Sequence, residues 1–158
     1  MKKIGIFYGS STGTCESLAE QLAGELGVTG GDVHSADKLT AELANTYDVL
    51  VLGTSTWGDG ELQDDWYDAI KVLKGMDLHG KDVALFGCGD SESYCDTFCN
   101  GMGILYEDLM HLPGQPRQHG RLFIRQFHRR GRRILRGPRA GRCERKWQDR
   151  QPHQCLGR

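Results

Sequence analysis

Over the first 110 residues, short and continuously apolar segments alternate with segments whose apolar residues recur at helical spacing. The apolar segments are rich in β-branched and aromatic side chains and span residues 3–8, 48–53 and 82–87. Each leads through a loop into an amphipathic stretch, and these stretches lie near residues 16–26, 65–73 and 96–109. Because buried parallel strands are apolar throughout, the alternation predicts an α/β fold with a parallel sheet covered by helices on both faces.

The loops that follow these strands are the candidates for a functional site. In an open parallel sheet, ligands bind beyond the carboxyl ends of the strands, where the strand order reverses. The loops at residues 9–15, 54–60 and 87–94 therefore form one candidate site. Val33 and His34 are a weak candidate for an additional strand.

The first loop reads Gly-Ser-Ser-Thr-Gly-Thr-Cys at residues 9–15 and places four hydroxyls at the start of the first predicted helix. Hydroxyls and free backbone N–H groups at a helix start suit a phosphate. The loop matches neither the Lys-containing Walker pattern nor Gly-x-Gly-x-x-Gly, so neutral donors favour a phosphomonoester over a triphosphate with magnesium. The alternative is a Ser/Thr-rich turn that only caps the helix.

The second and third loops each carry an aromatic side chain, Trp57 and Tyr94. Either ring alone is more often a packing residue. Two rings on loops beside an anion-binding helix start favour a planar ligand stacked between them. A flat ring system that carries a phosphate describes flavin mononucleotide (FMN).

Over residues 1 to about 109 these motifs resemble those of flavodoxins, with the long-chain type as the best match. The resemblance rests on Gly-Ser-Ser-Thr-Gly-Thr at 9–14, Thr-Trp-Gly-Asp-Gly-Glu-Leu-Gln-Asp-Asp-Trp at 56–66, and Gly-Cys-Gly-Asp at 87–90 with Tyr94. It implies a flavodoxin-like, doubly wound parallel sheet with strand order 2-1-3-4-5 and FMN as the cofactor.

The resemblance also implies a role for each loop. Residues 10–15 would hold the phosphate, Trp57 and Tyr94 would flank the ring, and the backbone of residues 56–60 and 88–90 would contact the ring edge. The carbonyl of the peptide after the tryptophan, at Gly58, would accept a hydrogen bond from the reduced flavin N5–H. The candidate cofactor-binding residues are Ser10, Ser11, Thr12, Gly13, Thr14, Cys15, Ser55, Thr56, Trp57, Gly58, Asp59, Gly60, Cys88, Gly89, Asp90, Tyr94 and Asp96.

Acidic residues cluster in and just after the two ring-side loops: Asp59, Glu61, Asp64, Asp65, Asp68, Asp90, Glu92 and Asp96. An electron added nearby puts negative charge among them, at about 0.4 kcal/mol for each charge roughly 10 Å away in water. We therefore expect a low-potential one-electron carrier whose redox partners have basic docking surfaces. The alternative for these acids is a solvated face.

Other classes of protein fit the sequence less well. No run approaches the roughly 20 apolar residues of a membrane span, and the start lacks a secretory signal, so we expect a cytoplasmic protein that binds no membrane. The six Cys contain no C-x-x-C pair and the six His lack metal spacing, so we expect no metal site. We expect a monomer without catalytic residues, because the flavin would carry the redox chemistry.

An FMN-dependent reductase is the enzyme alternative, and it would need a nicotinamide or substrate pocket over the ring. For the carrier, the resemblance suggests service in nitrogen fixation or as a replacement for ferredoxin under iron limitation.

The charge of the chain changes abruptly near residue 110. Residues 1–110 hold six Lys, no Arg and 19 acids, whereas residues 111–158 hold 13 Arg, one Lys and two acids. Such a basic segment is typical of nucleic-acid or anionic-lipid binding, or of a disordered extension. We therefore divide the chain into an FMN-binding domain, residues 1–110, and an Arg-rich tail, residues 111–158.

A change of reading frame is the third and favoured interpretation of this tail. Codons consistent with Leu135 to Gly141, read one base later, can encode Phe-Val-Gly-Leu-Ala-Leu. From Arg121 onward the shifted frame permits a string that resembles the carboxyl end of a long-chain flavodoxin. The frame would change near residues 109–111, so no nucleic-acid partner is expected, and the fifth strand and last helix are expected to be lost or disordered.

Overall fold

The computed structural model describes residues 1–89, 97 and 99–112 with their side chains and residues 122–128 by their backbone. Five parallel strands form a sheet: β1 Ile4–Gly9, β2 Val33–Ser35, β3 Val49–Trp57, β5 Asp82–Gly89 and β6 Leu122–His128. A short strand, β4 Glu61–Leu62, pairs antiparallel with the end of β3. The parallel strands lie in the order β2-β1-β3-β5-β6. Apart from β4, this is the predicted strand order 2-1-3-4-5.

Helices cover both faces of the sheet, so the predicted doubly wound fold is confirmed. They are α1 Thr14–Leu26, α2 Ala41–Asn45, α3 Asp65–Lys74 and α4 Asn100–Met110. On one face α1 packs against Ile6, Val51 and Phe86. On the other face α3 and α4 share a core with Leu50 and Leu85. Alternate residues of the same strands thus supply the two cores.

Small side chains bring α1 close to the sheet. Its buried residues are Cys15, Ala19 and Ala23. The leucines that reveal this helix in the sequence lie toward its margins, and Leu26 is 48% exposed. The helical spacing of Leu18, Leu22 and Leu26 therefore predicted the helix, and Ala19 and Ala23, which lie on the same side, form its buried face together with Cys15.

The second predicted loop is shorter than expected, because β3 continues through Trp57. Thr56 pairs with Leu62 and Trp57 with Glu61, which closes a hairpin around residues 58–60. Cross-strand hydrogen bonds with β4 thus extend the strand beyond its continuously apolar part.

The helix predicted near residues 96–109 begins at Asn100. Cys99 precedes it with a φ of 56°, in the left-handed region, which is not part of a right-handed helix. The start predicted at residue 96 lies outside the described residues.

The prediction that the fifth strand is lost is wrong, because the backbone of residues 122–128 forms a strand. Residues Leu122–His128 form β6, parallel to β5, with Leu122 opposite Val83 and His128 opposite Gly89. The written sequence Leu-Phe-Ile-Arg-Gln-Phe-His keeps enough β-branched and aromatic residues for a strand. It pairs with β5, whose outer edge would otherwise lie open. The expected loss of the last helix concerns residues outside the described ones.

Within the described ranges, no helix is both long and apolar enough to cross a membrane.

Candidate functional site

The first loop joins the end of β1 to an open helix start. The first backbone hydrogen bond of α1 runs from Ser17 N to Gly13 O at 2.9 Å. Gly13, which precedes the helix with a φ of 84°, provides no side-chain cap, and a Cβ there would meet no atom within 4 Å. The N–H groups of residues 14–16 precede the first residue that can bond back along the helix, which is the donor arrangement of an anion site.

The hydroxyls of this loop surround the helix start without capping it. Ser10 Oγ accepts a hydrogen bond from Gly13 N at 3.1 Å, within the loop itself. Ser11 and Thr12 are exposed, and Ser10 and Thr14 are half-buried.

The end of β5 contacts the start of α1 through two thiols. Cys15 is fully buried and Cys88 is 2% exposed, and the Cys15 thiol donates a hydrogen bond to Cys88. This hydrogen bond, followed by burial, raises the pKa of Cys15, and the same hydrogen bond lowers the pKa of Cys88. Of the predicted site residues, these two therefore turn their side chains into the core and leave only backbone groups for a ligand.

The end of β3 presents an indole at the surface. Trp57 is 40% exposed, and its Nε1 donates to Ser55 Oγ at 3.0 Å. Ser55 Oγ in turn donates to Gly9 O at 3.4 Å, which links the hairpin to the first loop. Gly58 and Asp59 are also exposed. The indole is thus held in place at the sheet edge while its surface remains available for a flat ligand.

The turn after Trp57 rests on the start of α4. Gly60 N donates to Trp57 O at 3.0 Å and closes the turn. Gly58 and Gly60 have positive φ values of 49° and 98°. A Cβ at Gly60 would lie 2.6 Å from Asn100 Nδ2, so a side chain at this position would force the Asn100 side chain to move.

The Thr56 hydroxyl is hydrogen-bonded to the start of the same helix, α4. Its Oγ1 accepts a hydrogen bond from Gly101 N at 3.1 Å. Gly101 itself approaches the backbone of the hairpin, since a Cβ there would lie 3.0 Å from Ser55 O. The sequence did not assign α4 to the site, and its only signal was the glycine at a helix start.

The strand register brings the three loop origins together. Gly9 lies opposite Thr54, Thr54 opposite Gly87, and Ser55 opposite Cys88. The predicted loops therefore leave the same edge of the sheet, and Gly89 is half-buried at the third origin. Three predicted site residues, Asp90, Tyr94 and Asp96, lie outside the described residues.

Gln63, which was not among the predicted site residues, joins the first loop to α3. Its side chain is 3% exposed and donates to Ser11 Oγ at 3.3 Å and to Asp65 Oδ2 at 3.0 Å. In the sequence, Gln63 stands between Leu62 and two Asp residues, which is typical of an ordinary loop before a helix. Only the tertiary contact with Ser11 reveals the relation to the site.

Four of the acidic residues near the hairpin are exposed, namely Asp59, Glu61, Asp64 and Asp68. Asp68 is paired with Lys71 at 2.7 Å, and this hydrogen bond lowers the pKa of its carboxyl group. Asp59, Glu61 and Asp64 form no ion pair with another of the residues that the structure describes.

Comparison with known proteins assigns the family. The profile of the flavodoxin family matches residues 6–116. The chain belongs to the flavodoxin family. The flavodoxin of Klebsiella pneumoniae is 45% identical over 105 residues, which are 66% of this chain and 60% of the relative. Flavodoxin 1 of Escherichia coli K12 is 46% identical over 101 residues, which are 64% of this chain and 57% of the relative.

Solved flavodoxin structures share the fold. Oxidised flavodoxin 2 from Bacillus cereus superimposes with a TM-score of 0.63 at 35% identity, over 77% of this chain and 84% of that one. Fusobacterium nucleatum flavodoxin bound to flavin mononucleotide gives 0.62 at 30% identity, over 73% and 68%. The resemblance seen in the loop motifs is thus confirmed.

This flavodoxin-family chain spans about 60% of the length of the curated relatives from Klebsiella and Escherichia.

Proposed function

We propose that this chain binds FMN at the edge formed by residues 9–15, 55–60 and 88–89 and carries single electrons between redox proteins. The observation that carries the proposal is the pairing of an open helix start with an exposed indole at one sheet edge. Ser55 connects the two, through its hydrogen bonds with Trp57 and Gly9.

The donors at the first loop suit a phosphate monoester. The loop offers the helix-start N–H groups and the hydroxyls of Ser10, Ser11, Thr12 and Thr14, and residues 9–15 include no Lys or Arg. Hydrogen bonds from neutral donors and the positive end of the α1 dipole would together hold the dianion. The empty space over Gly13 leaves room for it.

The hairpin residues suit a flat ring. The exposed face of Trp57 would stack on it, and the backbone of residues 58–60 would line its edge. Bound FMN would supply the one-electron chemistry. The positive φ values at Gly58 and Gly60 let the intervening peptides present either their N–H or their carbonyl group to the ring edge at low conformational cost.

The acidic surface would lower the reduction potential of the bound flavin and favour partners with basic surfaces. Negative charge on Asp59, Glu61 and Asp64 opposes further negative charge on a ring bound at the hairpin. The same charges attract partners with basic surfaces and speed their encounter at low ionic strength.

We further propose that residues from about 110 onward are written in a shifted reading frame. The family match ends at residue 116, and the Escherichia and Klebsiella alignments cover 101 and 105 residues. All 13 Arg of residues 111–158 therefore lie beyond the end of the family match. On this view the Arg cluster carries no nucleic-acid function.

An anaerobic redox titration of the full chain with FMN tests the carrier. We expect the flavin absorbance to bleach in two separable one-electron steps when an artificial reductant is added. We expect no oxidation of NADH or NADPH by the chain alone, whereas turnover with either would support the reductase. Salt-sensitive binding of DNA or RNA by the full chain would instead favour the basic tail as the functional part.

A further inference from the structure

Gln63 is a buried polar residue at the back of the candidate phosphate loop, and its neighbours determine which way its amide points. Oε1 accepts from Asp65 N at 3.0 Å, and Nε2 donates to Asp65 Oδ2 at 3.0 Å. A backbone N–H can only donate and an ionised carboxylate can only accept. Asp65 therefore fixes the amide orientation, with Nε2 toward the loop.

This orientation dictates the role of the Ser11 hydroxyl. The second N–H of Gln63 Nε2 faces Ser11 Oγ at 3.3 Å, so the serine oxygen must accept this hydrogen bond. A hydroxyl has one proton and two acceptor lone pairs. The Ser11 proton consequently stays available for an acceptor on the exposed side of the loop.

The packing around Gly9 keeps Gln63 in this place. A Cβ at Gly9 would collide with Gln63 Oε1 and with the Trp66 indole, so the first residue of the loop must lack a side chain. Trp66 is fully buried and donates from Nε1 to Gly53 O at 2.8 Å. The amide is thus held between β1 and α3 with little freedom to turn.

We propose that Gln63 is a positioning residue that fixes Ser11 as a hydrogen-bond donor to the phosphate of FMN. The inference rests on the proposed FMN site and adds a residue that would not touch the cofactor itself. Gln63 would thereby increase the affinity of the chain for FMN relative to riboflavin, which has the same ring without the phosphate.

The test compares the affinity of the full chain for FMN and for riboflavin by quenching of flavin fluorescence. Gln63→Met removes both amide donors at similar volume, and we expect it to weaken FMN binding about tenfold while riboflavin binding changes less than twofold. Gln63→Glu replaces the donor with an acceptor that would take the Ser11 proton, so we expect an even larger loss for FMN. Gln21→Met, at an exposed site on α1, is the matched control and should change neither affinity.

A double-mutant cycle with Ser11→Ala separates positioning from general support of the fold. Ser11 is exposed, so this variant is expected to fold. If Gln63 acts through Ser11, adding Gln63→Met to Ser11→Ala should weaken FMN binding by less than twofold more. Gln63→Leu, which also lacks the amide and adds no charge, takes the place of Gln63→Met in the cycle if the latter unfolds.

The outcomes distinguish this inference from the proposed function. Equal losses for FMN and riboflavin, or additive effects with Ser11→Ala, would overturn the role of Gln63 and leave the flavin site intact. Failure of the unsubstituted chain to bind FMN would instead refute the proposed function on which the inference rests.

Discussion

Trp57 Nε1 donates a hydrogen bond to Ser55 Oγ across 3.0 Å, two residues back along the same strand. Because side chains two apart share a face of a strand, this contact fixes the indole over the edge of the sheet. Ser55 passes the connection on to Gly9 O. The two halves of the candidate site, one for a phosphate and one for a ring, are therefore joined by a single hydroxyl.

Ser55→Ala should weaken the binding of FMN and riboflavin by the same factor, about fivefold, since the loss of one hydrogen bond costs roughly 1 kcal/mol. The indole would lose its fixed orientation, while the phosphate loop keeps its donors. Titration of both flavins measures this effect, and in a Trp57→Phe background Ser55→Ala should have less than half of it. A loss confined to FMN would contradict the account of Ser55 as a support for the ring.

Gly60→Ala should lower the free energy of unfolding by about 2 kcal/mol, because φ at this position is 98° and the new Cβ would crowd Asn100. Gly24→Ala is the matched control. It lies inside α1, where a Cβ would meet no atom within 4 Å, so it should stabilise the chain by about 0.5–1 kcal/mol. Urea unfolding measures both changes, and an unchanged midpoint for Gly60→Ala would show that the turn is not constrained as described.

Tyr8 should make stability depend on pH in the alkaline range. Burial, followed by its hydrogen bond to Glu16, raises the pKa of Tyr8 to about 12. A tyrosine whose folded pKa is raised stabilises the fold below its unfolded pKa of 10.0, and this contribution disappears as pH rises toward about 12.

The difference in unfolding free energy between the unsubstituted chain and Tyr8→Phe should therefore shrink between pH 9 and pH 12. Tyr67→Phe, at a tyrosine that is 52% exposed, serves as the control for loss of a phenol. A difference that stays constant over this range would mean that Tyr8 does not titrate with the raised pKa.

The reading-frame proposal makes a prediction about the gene. The DNA that encodes residues 111–158, read one base later, should encode a stop-free continuation with flavodoxin-like sequence. A chain made in the restored frame should have a higher midpoint of urea unfolding than the chain with the present sequence. A stop codon early in the shifted frame would refute the proposal and return the Arg-rich segment to consideration as a functional tail.

Local sequence signals were enough for the architecture and for the location of the site. The apolar runs predicted the three central strands, and their glycine-rich ends marked the edge where Gly9, Thr54 and Gly87 align. These features depend on burial and turn chemistry within a few residues, so they survive without knowledge of the tertiary structure.

Features that depend on contacts between distant residues could not be predicted in this way. The contact of the Cys15 thiol with Cys88, 73 positions away, forms because α1 sits close to the sheet. Gln63 was part of a recognised motif, yet its hydrogen bond to Ser11 spans 52 positions. The strand at residues 122–128 was missed because the change in charge hid a short β-prone run.

The most direct test of the account is the binding of FMN to the purified full chain, measured beside riboflavin and beside the Trp57→Ala variant. We expect the chain to quench FMN fluorescence with at least tenfold higher affinity than it has for riboflavin, and Trp57→Ala to weaken the binding of both flavins. Equal affinity for the two would contradict a phosphate site at the start of α1. No binding of either flavin would contradict the proposed function as a whole.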